Sequence, residues 1–151
     1  MPKKIDVSSV MPRIGTSYPA PYDQPCLRRE RRALGDAAGL TQFGVNLLRL
    51  PAGEWSSQRH WHSHEDEFIY VLQGEVTLVT DEGVEVLRAG DCAGFKASEQ
   101  NGHHLQNRSD QEAVLLEIGT RNRADATCYP DIDLMISSND ERYRRRDGTP
   151  Y

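Results

Sequence analysis

The middle of the chain is built of short apolar runs separated by turn residues at intervals of about ten residues. The clearest runs are EFIYVLQG (67–74), EVTLVTDEGVEVLRAGD (75–91) and EAVLLEIGT (112–120). In the second run, apolar and polar residues alternate on both sides of the DEG turn at 81–83, which predicts a hairpin. Because many short strands with regular turns are typical of sandwiches and barrels, we predict an all-β fold of this kind.

The character of the sequence changes on both sides of these runs, which predicts three segments. Residues 1–40 contain five prolines and little periodicity, so we expect an extended N-terminal arm over the domain surface. Within this arm we interpret the charged run LRRERRAL (27–34) as a solvated segment. Residues 41–121 form the predicted barrel domain, and residues 122–151 form a C-terminal tail that packs on the barrel or on a dimer mate.

Composition limits the class of partner. A length of 151 residues fits one domain, and a formal net charge of -5 argues against nucleic acid or an anionic membrane as a partner. The three cysteines form neither a disulfide framework nor a CxxC motif. Residues 1–15 contain no apolar run of seven or more, the length typical of a secretory signal, and no later run approaches the roughly 18 apolar residues of a membrane span. We therefore expect a cytoplasmic protein that binds a small molecule, without nucleic-acid or membrane partners.

All five histidines lie in two clusters, RHWHSHEDEF (59–68) and QNGHHLQN (100–107). Side chains two apart on a strand share a face, so His60 and His62 can present their imidazoles to one point. Glu67 has the opposite parity, so a turn at SHED (63–66) must precede it, and Glu67 then opens the next strand facing inward. Imidazole nitrogens and a carboxylate oxygen are ligands that first-row divalent metals accept, so these three residues predict a metal site.

A further ligand is expected from the second cluster. If QNGHHLQN is a strand, His103 shares one face with Leu105 and Asn107, and His104 lies on the other face. We therefore predict His103 as the fourth ligand.

The spacing of the first cluster resembles that of the cupins, small β-barrels of two antiparallel sheets wound as a jelly roll. The first cupin motif is a glycine, five residues, HxH, three or four residues, a glutamate, six residues and a glycine. This chain has Gly53, the six residues EWSSQR, His60-Trp61-His62, four residues, Glu67, six residues and Gly74. The resemblance covers roughly residues 45–120 and implies a cupin jelly-roll barrel, also called a double-stranded β-helix.

The second cupin motif is degenerate in this chain. Its start matches GD at 90–91, but Lys96, Ser98 and Asn101 stand where the family has proline, glycine and histidine. A shift by two residues restores the His-x-x-x-Asn spacing with His103 and Asn107. His103 thus stays the expected fourth ligand, with Asn101 and His104 as the alternatives.

The resemblance also implies a function. We expect His60, His62, Glu67 and His103 to hold one divalent transition metal (Fe, Mn, Ni, Zn or Cu) with positions open to water or substrate. Glu67 is the expected catalytic residue, as a ligand or as a proton shuttle. The expected activity is of the isomerase or epimerase, dioxygenase or lyase type on a small oxygenated organic acid or sugar. The alternative is a non-catalytic module that binds or senses a small molecule. Related barrels pair through their sheets, so we also expect a homodimer.

Two other residue types receive a structural interpretation. Five aromatic residues are expected to pack in the barrel, namely Trp55, Trp61, Phe68, Tyr70 and Phe95. Of these, only Tyr70 and Phe95 are candidates for lining a pocket. Cys92 in GDCAGF has no sign of a paired base, so we predict a buried free thiol rather than a nucleophile.

Overall fold

The computed structural model describes residues 4–151, and strands dominate its regular structure. The strands are β1 Arg13–Ile14, β2 Glu30–Ala33, β3 Phe43–Leu50, β4 Trp61–His62, β5 Glu67–Gln73, β6 Glu75–Thr80, β7 Gly83–Arg88, β8 Cys92–Phe95, β9 His104–Gln106, β10 Ala113–Thr120, β11 Ala126–Cys128 and β12 Met135–Ser137. Helical structure in the described residues is limited to the 3-10 helices Val7–Ser9 and Gln24–Cys26 and one α-helical turn, α1 Leu34–Ala37. This content confirms the predicted all-β class.

One layer of the barrel is a six-stranded antiparallel sheet in the order β1-β2-β3-β10-β5-β8. Period-two alternation decides which side chains point inward. On β5, Ile69 and Val71 are buried, while Phe68, Tyr70 and Leu72 are 39%, 39% and 45% exposed. Glu67 has the parity of Ile69, as predicted, and therefore points into the barrel.

The facing layer joins two three-stranded sheets, β7-β6-β9 and β12-β11-β4. The chain just before β4 links them, because the bridges Trp55↔Gln106 and His60↔His103 pair it with the region of β9. Two antiparallel layers facing each other form the jelly-roll barrel that the sequence predicts.

The predicted hairpin is confirmed. β6 and β7 pair from Glu75↔Arg88 to Thr80↔Gly83, which leaves a two-residue turn at 81–82. Gly83, with φ of 124°, takes the backbone conformation that a residue with a Cβ rarely adopts.

Two hydrophobic clusters fill the interior. The aliphatic cluster lies between the two layers and contains Leu48, Leu50, Ile69, Val71, Val76, Leu87, Leu105, Ala113 and Leu115. The aromatic cluster joins the N-terminal segment to the tail and contains buried Tyr18, Cys26, Tyr129 and Leu134. The segment boundaries after residues 40 and 121 stay predictions.

The interpretation of LRRERRAL as solvated is wrong. β2 includes part of this run and pairs with β3, so that Arg31 lies opposite Leu48 on the inner face. Arg29 is only 7% exposed, and Arg31 forms an ion pair with Glu117 at 2.7 Å. A run of arginines conceals this arrangement in the sequence because the partner carboxylate lies far along the chain.

The expectation of a buried Cys92 is also wrong, since its thiol is exposed. Cys92 pairs with Tyr70 across β5 and β8, and cross-strand partners share a face, so both side chains point outward. Among the described residues, no helix is long and apolar enough to cross a membrane.

Candidate metal centre

The predicted site residues come from both layers of the barrel. His60 and His103 exchange two backbone hydrogen bonds of 3.1 and 2.8 Å, which fixes the two histidine clusters beside each other. His62 ends β4, and the loop 63–66 carries the chain across to Glu67, the first residue of β5 in the large sheet. The alternation of side chains along the strands and the short loop 63–66 thereby direct all four side chains toward one point inside the barrel.

The Glu67 carboxylate is the centre of this cluster. The Nε2 atom of His103 lies 2.6 Å from Oε2 of Glu67, and Nε2 of His60 lies 3.4 Å from the same oxygen. The Nε2 atom of His62 lies 3.5 Å from the other oxygen, Oε1. The structure therefore brings all four predicted residues together. His60, His62 and Glu67 are close enough to one another to share one ion.

The opposite nitrogens of two imidazoles are held by fixed acceptors. Nδ1 of His60 lies 2.8 Å from the Gln58 carbonyl oxygen, and Nδ1 of His62 lies 2.7 Å from Oδ2 of Asp125. A carbonyl or an ionised carboxylate can only accept, so each Nδ1 donates its N–H and each Nε2 faces Glu67. Such outer hydrogen bonds orient histidines that bind metals.

His103 is oriented by stacking instead. Its ring lies parallel to that of Phe95 on β8, with an interplanar angle of 1° and centroids 3.6 Å apart. Of the two aromatic residues that the sequence offered as pocket-lining candidates, Phe95 lines the site. Tyr70 points outward and is 39% exposed.

Burial and hydrogen bonding act in opposite directions on the charged forms of this cluster. Burial alone would raise the pKa of Glu67, but the surrounding His60, His103 and His62 lower it well below its ordinary value. Burial likewise opposes protonation of His62, yet hydrogen bonding to Glu67 and Asp125 raises its pKa to about 9. Burial lowers the pKa of His103. Three nitrogens and one carboxylate are a donor set that fits a divalent transition metal.

The alternative fourth ligands have other partners. Nδ1 of His104 lies 2.8 Å from the Ser57 carbonyl oxygen and its Nε2 lies 3.0 Å from Nε2 of Gln106, so both ring nitrogens are occupied. Oδ1 of Asn101 accepts the backbone N–H of Asp81 at 2.8 Å. Neither side chain reaches Glu67 as His103 does.

The cluster forms one wall of a cavity of about 740 Å³. Its other walls include Tyr18 and Tyr129 from the aromatic cluster, Tyr143, which packs against that cluster, and Arg29 and Arg31 from the N-terminal segment. A cavity of this size accommodates a small organic molecule.

Two acidic groups beside the site, Asp125 and Glu65, were not identified from the sequence. Asp125 is only 2% exposed and also accepts the backbone N–H of His64 at 2.9 Å, so it fixes both His62 and the loop that follows. Glu65 lies 3.8 Å from Nδ1 of His62. An isolated aspartate some sixty residues from its histidine has no local pattern, so nothing in the sequence indicates this contact.

Comparisons with known proteins bear on the fold and the family of the chain. The sequence profile described as Cupin domain matches residues 46–119. No functionally curated protein sequence matches the chain at a significant level.

Solved structures give a broader match. A protein of Silicibacter pomeroyi DSS-3, described as a sugar phosphate isomerase from a cupin superfamily, is 42% identical to this chain. The match covers 99% of this chain and 96% of that chain, with a TM-score of 0.93. A candidate sugar phosphate isomerase from Acidithiobacillus ferrooxidans ATCC 23270 is 31% identical, with coverages of 78% and 74% and a TM-score of 0.72. A polyketide cyclase from Streptomyces resistomycificus, at 20% identity, 80% coverage of each chain and a TM-score of 0.64, shares the fold alone. The chain therefore belongs to the cupin superfamily, as a small single-domain member.

Proposed function

We propose that this protein is a metal-dependent isomerase that acts on a small phosphorylated sugar. The observation that carries the proposal is the convergence of three imidazoles on Glu67, within 3.5 Å of its oxygens, at the wall of a cavity of about 740 Å³. The substrate class is proposed from the Silicibacter pomeroyi protein, which is described as a sugar phosphate isomerase.

In this proposal His60, His62, Glu67 and His103 hold one divalent transition metal. Bound there, such a metal polarises an oxygen of the sugar. The remaining chemistry belongs to the chain. Isomerisation removes a proton from a carbon beside a carbonyl and returns it to the neighbouring carbon, so no electron acceptor is needed. The Glu67 carboxylate lines the cavity beside the histidines, and it is the group that would carry this proton.

Burial prepares the site for this chemistry. The side chains of His60 and His103 are 12% and 8% exposed, so the cluster has little contact with water except through the cavity. Restricted water strengthens the interaction between the cluster and a polar substrate.

Turnover is the test of this proposal. The protein is assayed against a panel of aldose and ketose phosphates, and product must exceed enzyme, disappear on chelation and return with one metal. Replacing the proton-carrying carboxylate in Glu67→Gln should lower kcat by roughly 100-fold or more. The matched control is Glu85→Gln on the exposed face of β7, which should keep full activity.

One outcome would contradict the isomerase, and another would contradict the role of Glu67. Tight binding of a sugar phosphate without turnover would instead support a binding or sensing module. Unchanged turnover in Glu67→Gln, with its metal content retained, would remove Glu67 from the reaction.

The homodimer is a second part of the proposal. Phe68, Tyr70 and Leu72 project from β5 on the outer face of the large sheet and are 39%, 39% and 45% exposed. Burial of these side chains against a second copy would remove apolar surface from water. Light scattering should show a dimer that Tyr70→Lys weakens, whereas Val84→Lys on β7 should not. A monomer at micromolar concentration would contradict it.

We also propose a cytoplasmic setting, because the three cysteines are free. Thiol titration of the denatured, unreduced protein should count all three. A smaller count would indicate an oxidising compartment.

A further inference from the structure

Arg29 is a buried cation without a carboxylate partner among the described residues. Its side chain lines the cavity and the residue is 7% exposed. Nε donates to the Gly15 carbonyl oxygen at 3.0 Å, and Nη1 donates to the Ser56 carbonyl oxygen. Two of the five guanidinium N–H groups are thereby used, and the others remain available. A buried charge is costly unless a counter-charge lies close to it.

Arg31, unlike Arg29, has a carboxylate partner in the described part of the chain. Arg31 donates through Nε and Nη2 to the two oxygens of Glu117, at 2.7 and 2.8 Å. Glu117 is therefore occupied by Arg31. The positive charge of Arg31 adds to the burial that lowers the pKa of Arg29, so an anion beside Arg29 would relieve both effects.

A second free arginine lies on the same side of the sheet. Arg13 on β1 pairs with Arg31 on β2, so these two side chains share a face, and Arg29 has the same parity as Arg31. Gly15 donates its N–H to the Arg29 carbonyl oxygen at 2.9 Å, which places Arg13 diagonally from Arg29. Arg13 lines the cavity, is exposed and has no ion pair within the described residues.

The charges of the cavity are consequently separated. Arg31 is paired with Glu117, and Arg121 is paired with Asp36. The lining charges left over are Arg13 and Arg29 at one end, and Glu65 and Glu67 beside the histidines at the other. The cavity therefore has one end suited to a cation and one end suited to an anion.

The two ends are near enough for one small molecule. Ser56, which anchors Arg29, lies four residues before His60, a separation of at most about 14 Å along the chain. Aromatic rings fill part of the interval: the Arg29 guanidinium carbon lies 5.7 Å from the Tyr18 ring centroid, and Tyr129 lies between Tyr18 and His60 with centroid separations of 5.8 and 5.9 Å.

We infer that Arg29, assisted by Arg13, forms an anion subsite that binds the phosphoryl group of the substrate while the opposite end of the substrate faces the histidine cluster. This assignment rests on the proposed function and adds the position of the phosphate. The planar guanidinium fork suits a phosphoryl group, since it can donate to two of its oxygens at once.

The test measures the binding of inorganic phosphate to the full chain by calorimetry at constant ionic strength. The protein is first treated with a chelator. Removing the metal excludes phosphate binding to a metal ion. Arg29→Gln should weaken phosphate binding by at least about tenfold, because charge-assisted hydrogen bonds are lost. Arg13→Gln should weaken it by a smaller factor. The matched control is Arg88→Gln on β7, because the Arg88 side chain is 68% exposed. This variant should bind phosphate as the unmodified protein does.

A second variant guards against misfolding, because Arg29 also joins Gly15 to Ser56. Arg29→Lys keeps the charge and loses the fork, so it should bind phosphate with intermediate affinity while unfolding at a temperature near that of the unmodified protein. Wild-type affinity in a folded Arg29→Gln protein would overturn the subsite. Acetate bound as tightly as phosphate would also overturn it, in favour of a carboxylate subsite. This assay requires neither metal nor turnover, so its failure is separate from failure of the proposed reaction.

Discussion

The two hydrophobic clusters differ in composition, in origin and in what they support. The aliphatic cluster contains only Leu, Ile, Val and Ala, all from the central strands between residues 48 and 115. The aromatic cluster is built of Tyr18, Cys26, Tyr129 and Leu134, which come from the two terminal segments. One cluster is thus assembled within the barrel, and the other requires segments far apart in the chain to meet.

Their relation to the site differs as well. The aliphatic side chains offer no polar atoms and serve to hold the two layers together. In the aromatic cluster, the Tyr18 hydroxyl accepts the backbone N–H of Gln58 at 3.2 Å, and the Gln58 carbonyl holds His60. The comparison indicates that the aliphatic cluster supplies mainly stability, whereas the aromatic cluster also helps to position His60.

The largest expected effect comes from breaking the aliphatic cluster. Leu115 is fully buried on β10, so Leu115→Ala should lower the free energy of unfolding by about 2–5 kcal/mol. Denaturant unfolding measures this loss, and the folded fraction should keep its metal content. Leu27→Ala, at a leucine that is 44% exposed and lies outside the proposed dimer surface, should cost well under half as much. Equal losses in the two variants would contradict the assigned core.

A smaller effect on stability, with an effect on function, is expected from the aromatic cluster. Tyr18→Phe removes the hydroxyl that accepts from Gln58 and should lower the free energy of unfolding by about 1 kcal/mol. Because Gln58 holds His60, metal affinity should fall too. Tyr70→Phe is the control, since Tyr70 lies on the outer face. Unchanged metal affinity in Tyr18→Phe would separate this cluster from the site.

The effect that makes no contribution at neutral pH is a dependence of stability on alkaline pH, which arises in the aromatic cluster. Burial raises the pKa of the Cys26 thiol from 9.0 to about 11 and that of Tyr18 from 10.0 to about 12. The unfolded chain therefore releases these protons at lower pH than the folded chain, so stability is retained below about pH 9 and falls as pH rises toward 11. Thermal unfolding from pH 8 to 11 should show this fall, and Cys26→Ala should reduce its slope. Cys92→Ala, which removes an exposed thiol, should leave the slope unchanged.

The same comparison explains what the sequence predicts well. The aliphatic cluster and the hairpin follow from period-two alternation and from turn residues, which are local signals. The convergence of His60, His62 and Glu67 also follows from alternation plus one short turn. His103 required a choice between adjacent histidines, and its parity with Leu105, which is 3% exposed, predicted the face on which His103 contacts Glu67.

What the sequence did not predict depends on pairing between distant segments. Arg31 meets Glu117, and His62 meets Asp125, through contacts that no local pattern encodes. The exposure of Cys92 depends on the register of β8 against β5, which sets its side chain beside Tyr70. Such contacts become visible only when the terminal segments and the sheet register are known.

The metal content of protein purified without added metal tests the central claim most directly. Elemental analysis should find close to one divalent transition metal per chain, and His62→Ala should reduce metal affinity by at least about tenfold. The control is His64→Ala, because His64 is exposed and lies outside the cluster. Wild-type occupancy in a folded His60→Ala/His62→Ala double variant would contradict the claim that these histidines, with Glu67 and His103, hold the metal.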